Sequence, residues 1–95
     1  MMCHYVITRT FVDRDENIHT NNYLYYNEKK AFLDFEGMKD DIKAKVAFKY
    51  SVPFEEFDIT EFAFEVKDTT HSFVYKDMEG DTNIKLEIKN IIPMC

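Results

Sequence analysis

The side chains able to do chemistry in this chain are present but poorly arranged for it. Asp13, Asp15 and Asn17 occupy the first three ligand positions of a calcium-binding loop, with the alternating oxygens that a hard cation needs. The pattern then fails. Position six, where the sharp turn needs glycine, is Ile18, and position twelve, where a bidentate carboxylate closes the shell, is Leu24. His4, His19 and His71 lack helical i, i+4 or zinc-knuckle spacing, and neither Cys3 nor Cys95 has a second cysteine two to four residues away. Cys3 beside His4 is not a thiolate with its base, because neighbours on a strand point to opposite faces.

Ser51 and Ser72 lack the Gly-x-Ser-x-Gly elbow, and a chain whose only glycines are Gly37 and Gly80 has no loop to cradle a phosphate. Carboxylates are paired at Asp40-Asp41 and at Glu55-Glu56. Without an apolar pocket such pairs keep ordinary acidity and have no reason to transfer protons. The turn Asp77, Glu79, Asp81 reads as solvated in the same way as the Asp13 turn. No catalytic, metal-binding or cofactor-binding residue is therefore expected, and the chain is not expected to be an enzyme.

Two features exceed what folding needs. Tyr23, Tyr25 and Tyr26 cluster on a short run placed toward a sheet edge, and tyrosine offers recognition surfaces large area at low entropic cost. Glu55, Glu56, Asp58 and Glu61 gather in and just after a loop opened by Pro53, while Asp34, Glu36, Asp40 and Asp41 lie on the preceding helix.

The elements that would position these residues follow from periodicity. Cys3 to Val12 is rich in β-branched and aromatic residues and alternates as a strand. Asp13 to Asn22 is polar and predicts a turn, with Tyr23 to Tyr26 returning as a short second strand. Asn27 predicts a helix N-cap, with Glu28 suited to the dipole. From Glu28 to Tyr50 the apolar residues Ala31, Phe35, Met38, Ile42 and Val46 recur every three or four positions, with Phe32, Leu33 and Ala47 broadening the stripe. Asp34, Asp41 and Lys45 fall on the opposite face.

Gly37 costs that helix about 1 kcal/mol relative to alanine and marks either close packing or a break, with a continuous helix favoured. Beyond a Ser51 to Asp58 loop, Phe62, Phe64 and Val66 alternate with Ala63, Glu65 and Lys67. His71 to Lys76 reads as the next strand, and Ile84, Leu86 and Ile88 alternate with Lys85, Glu87 and Lys89 in the last. The expected fold is α+β: one domain over residues 1–95, order β-β-α-β-β-β, a mostly antiparallel sheet with one helix across one face. Its core should set the phenylalanine-rich helix against Ile84, Leu86 and Ile88.

Composition narrows the partners. Ninety-five residues hold one core, and nine Phe with six Tyr predict one built from rings. A formal charge of −6, with the bases interleaved among acids, argues against direct nucleic-acid binding. A larger, locally basic protein suits it better. No apolar run approaches the roughly 20 residues that span a bilayer, and Met1 to Thr10 lacks a signal peptide's hydrophobic block. A cytoplasmic protein with reduced Cys3 and Cys95 is expected, although antiparallel pairing of the first and last strands would bring these thiols close.

A short acidic chain with one helix on a small antiparallel sheet, no cofactor motif and tyrosines near an edge resembles the inhibitors that phages and mobile elements encode against host defences, the anti-CRISPR-like proteins. The resemblance lies in architecture and charge and carries no motif. It implies a stoichiometric inhibitor in the host cell cytoplasm, with carboxylates standing in for phosphates in a basic groove and Tyr23, Tyr25, Tyr26, Glu55, Glu56, Asp58 and Glu61 as the contact residues. The alternatives are a small-ligand sponge, binding a nucleotide-like signal as a homodimer joined through edge strands, and an interaction domain of a larger assembly.

Overall fold

The computed structural model describes residues 4–13, 15–80 and 82–90. Five strands, β1 (Tyr5–Val12), β2 (Ile18–Tyr25), β3 (Ala63–Asp68), β4 (Ser72–Asp77) and β5 (Asn83–Asn90), form one sheet in the order β2-β1-β5-β4-β3, with every neighbouring pair antiparallel. One helix, α1 (Glu28–Lys49), lies across one face. The fold is therefore α+β, as its periodicity predicts.

Asn27 caps α1 by accepting from the Lys30 backbone N–H at 3.0 Å, satisfying one of the first turn's free donors. The helix runs unbroken through Gly37. A β-carbon there would meet nothing within 4 Å, so the glycine marks neither close packing nor a break. Ala31, Phe35, Ile42 and Val46 bury against Ile7, Phe73, Tyr75, Ile84, Leu86 and Ile88. Leu33, expected in that stripe, is instead exposed, and a buried position between Phe35 and Ile42 goes to a cation. Lys39 is buried with its ammonium over the Phe35 ring, bonded to Asp68 at 2.8 Å, Glu36 at 3.1 Å and the Thr69 carbonyl. Its aliphatic stem fills the apolar gap while three oxygens take the charge.

Two strands depart from expectation. β2 begins at Ile18, not Tyr23, so the polar run His19-Thr20-Asn21-Asn22 is strand rather than turn. Its ladder to β1 and the Thr8 hydroxyl bond to Asn22 Oδ1 at 2.9 Å hold it extended; polar residues on both faces hide its period from the sequence. Only the residues before Ile18 are left for the turn, and there Asp13 Oδ1 accepts from the backbone N–H groups of Asp15 and Asn17. In β3 the register shifts between Ala63 and Glu65, and this bulge turns Phe64 outward, 79% exposed, instead of into a half-buried face.

β1 and β5 are antiparallel neighbours, with Tyr5 opposite Asn90. The Cys3 and Cys95 thiols themselves lie outside the described residues. No helix among the described residues is long and apolar enough to cross a membrane.

Candidate functional site

The sheet order separates the two halves of the expected contact surface. Tyr23 and Tyr25 lie on β2 at one edge, whereas the acidic segment leads into β3 at the other. Four strand spacings of about 4.8 Å put these edges about 19 Å apart. The tyrosines are also partly committed to the fold. Tyr25 donates to Asp34 at 2.9 Å, tying β2 to α1, and the Tyr26 ring meets His4 edge-on. Of the three, only Tyr23, on the edge strand, is a half-open ring without such a tie among the described residues.

The acidic segment is built with more rigour. Helix α1 ends in a Schellman motif: the Val52 N–H donates to the Ala47 carbonyl at 2.9 Å and the Ser51 N–H to that of Phe48 at 3.1 Å. Ser51 takes the left-handed conformation, φ 57°, that this cap requires. Pro53 then starts a short 3-10 turn, η1 (Phe54–Glu56), and Asp58 caps a second, η2 (Ile59–Glu61), by accepting from the Thr60 N–H and hydroxyl. These bonds hold the Asp58 carboxyl below the usual range. Ile59 is buried, and the rings of Phe57, Phe62 and Tyr50 stack in sequence, with Tyr50–Phe62 centroids 4.3 Å apart.

Beneath this stack is a carboxylate that sequence reasoning assigned to a solvated turn. Asp77 is the last residue of β4, its side chain fully buried, and the inward period of β4 carries it under α1. It accepts from the hydroxyls of Tyr50 and Tyr75 at 2.5 and 3.0 Å, from the Lys49 ammonium at 3.2 Å and from the Glu79 N–H at 2.8 Å. Burial alone would raise its pKa, but the four donors outweigh it and hold the carboxyl below its ordinary value. Burial together with that carboxylate pushes Tyr50 up to about 12 and raises Tyr75 as well. Every donor is matched to an acceptor, and among the described residues no buried side-chain polar atom lacks a partner. The cluster is a brace for the η1–η2 segment and not a poised acid or base.

On this brace the four acids face outward. Glu55, Glu56, Asp58 and Glu61 are all exposed, and among the described residues no cation lies within ion-pair distance of them. Elsewhere six lysines are engaged with other acids: Lys39 and Lys43 with Asp68, Lys49 with Asp77 and Glu79, Lys76 with Glu65, Lys85 and Lys89 with Glu87. Three exposed rings lie near this segment along the chain: Phe48 at the end of α1, 87% exposed, Phe54 in η1, half exposed, and Phe64 at the β3 bulge. Phe64 gave no sequence signal, because it sits in an otherwise regular apolar period.

A second concave feature lies between α1 and strands β1 and β5. This cleft of about 220 Å³ has Phe11, Ile42, Val46 and Ile84 as its floor and Arg9, Lys45 and Lys49 at its rim. Lys49 is tied to Asp77 and Glu79, whereas Arg9 and Lys45 make no hydrogen bond or ion pair among the described residues. No three metal-ligating side chains come together among the described residues. Comparison of the chain with protein-family models, with curated proteins and with solved structures finds no match.

Proposed function

We propose that this chain is a non-enzymatic protein-binding inhibitor that occupies a basic surface of a larger protein with the acidic corner Phe54–Glu61, in the manner of anti-CRISPR-like proteins acting in a host cytoplasm. The observation that supports this is a braced segment that carries four unneutralised carboxylates and the exposed Phe54, flanked in the chain by exposed Phe48 and Phe64. Carboxylates steer association with a cationic surface, and exposed rings supply the apolar burial that holds the complex. Rigid capping by Asp58 and the Tyr50–Phe62–Phe57 stack lowers the ordering cost of binding. Tyr23, Tyr25 and Tyr26, at the far edge, are not part of this contact.

The test is phage plating on strains that carry a nucleic-acid-guided defence, with and without the expressed protein. Wild type should restore plating and the triple variant E55K/E56K/D58K should not. Equal plating with both, at matched expression, contradicts the proposal.

The cleft favours a second reading, a sponge for a small amphipathic anion of the nucleotide-like class, with the apolar floor for the base and Arg9 and Lys45 for the phosphate. Thermal shift with nucleoside monophosphates at constant ionic strength should then rise in wild type and vanish in R9A; no shift in wild type excludes this reading.

A further inference from the structure

We infer that the β2 edge is a self-association surface on which a second copy of this chain pairs antiparallel about a two-fold axis at Asn21, making one ten-stranded sheet. The two edges of the sheet differ in how they resist such pairing. β3 carries Glu65, Lys67 and Asp68 and a bulge, devices that blunt an edge. β2 has eight residues, Ile18–Tyr25, with a continuous eight-pair register to β1, no bulge, no proline and no Asp, Glu, Lys or Arg, in a chain that is 32% charged. An uncharged edge is what two copies of a −6 chain need in order to meet.

The hydrogen-bond phase of β2 fixes which groups are on offer. The Ile88 N–H donates to the His71 carbonyl across β4 and β5, so even residues of β5 face β4 and odd residues face β1. Alternation then turns the even residues of β1 toward β5 and its odd residues toward β2. The odd residues of β2 are thus spent on β1, and the even residues Ile18, Thr20, Asn22 and Leu24 present backbone N–H and C=O groups to solvent. The Asp13 N–H bond to the Asn17 carbonyl at 3.1 Å gives the same phase from the other end.

These four residues also point their side chains to the face away from α1, where Ile18 is 70% and Leu24 50% exposed. A two-fold at Asn21 sets Ile18 opposite Leu24 of the second copy and Thr20 opposite its Asn22, and each contact occurs twice. Because Val6 pairs with Leu24 and Val12 with Ile18 within one copy, the row across the seam reads Val, Leu, Ile, Val, and the next row reads Thr, Asn, Thr, Thr. Shifting the axis by one residue either way sets Leu24 or Ile18 against a polar neighbour and shortens the ladder. The β3 edges and their acidic corners remain free at the two outer ends, so the dimer is bivalent whatever those corners bind.

Sedimentation equilibrium tests this. Wild type should weigh twice the 11.4 kDa chain mass. T20K/N22K sets like charges opposite each other and should be monomeric, whereas T20K/N22E sets opposite charges across the same pair and should restore the dimer; circular dichroism checks that each is folded. A monomeric wild type, a T20K/N22K variant that still dimerises, or a T20K/N22E variant that stays monomeric each overturns the proposal. A monomer that pairs β2 with a strand of another protein also overturns it.

Discussion

Replacing Asp77 by asparagine should cost about 3–5 kcal/mol of folding stability at neutral pH. The amide introduced by D77N keeps one acceptor but offers an N–H₂ where Tyr50, Tyr75 and Lys49 present donors, so roughly half of the four contacts are lost or reversed. Bonds to a charged group contribute about 1.5–3 kcal/mol each, and breaking a buried pair costs about 3–5 kcal/mol. That is a large part of the roughly 5–15 kcal/mol typical of a domain. Urea denaturation followed by circular dichroism reads it. The pH dependence gives a second check. The folded pKa of Asp77 lies below its unfolded value of about 3.9, so its contribution is present above about pH 4 and is lost as pH falls through the folded value. The gap between wild type and D77N should therefore narrow as pH falls below about 4. A loss below about 1 kcal/mol at pH 7, or a gap that stays constant on acidification, would refute the reasoning.

Three further substitutions have signed outcomes, each measured by the same denaturation. G37A should stabilise by about 0.5–1 kcal/mol, because the site is helical, exposed and free of neighbours; destabilisation would mean that the helix is not regular there. S51G should gain about 0.5–1 kcal/mol by relieving a side chain at φ 57°, and no gain would contradict the left-handed cap. K39A should lose about 2–4 kcal/mol, since it removes the bonds to Asp68 and the Thr69 carbonyl and leaves a void where the buried stem packs by Phe35; a neutral effect would show that the buried ammonium is not paired as described.

The helix and the three later strands were legible because each buries one face, which prints a period of about 3.6 or 2 on the sequence. β2 was legible only at Tyr23–Tyr25: an edge strand has one neighbour and little burial, so nothing forces its residues to alternate. Phe64 misled for a related reason, since one extra residue in a bulge reverses the side on which a ring falls while leaving the apparent period intact. Asp77 looked like a turn acid beside Gly80, and its burial depends on Tyr50, 27 positions earlier, arriving above it. The acidic corner was readable as composition, but its separation from the tyrosines was not, because strand order is set by tertiary pairing that local spacing does not encode.

The most direct test of the acidic corner as a binding surface is quantitative capture from a bacterial lysate by three tagged forms at low salt: wild type, E55K/E56K/D58K, and a control, D15K/D40K, that reverses exposed acids away from the corner. One basic protein retained by wild type and by the control, and lost from the corner variant and from wild type at high salt, is the predicted result. Equal retention by all three forms, or equal loss from the control and the corner variant, would contradict the account.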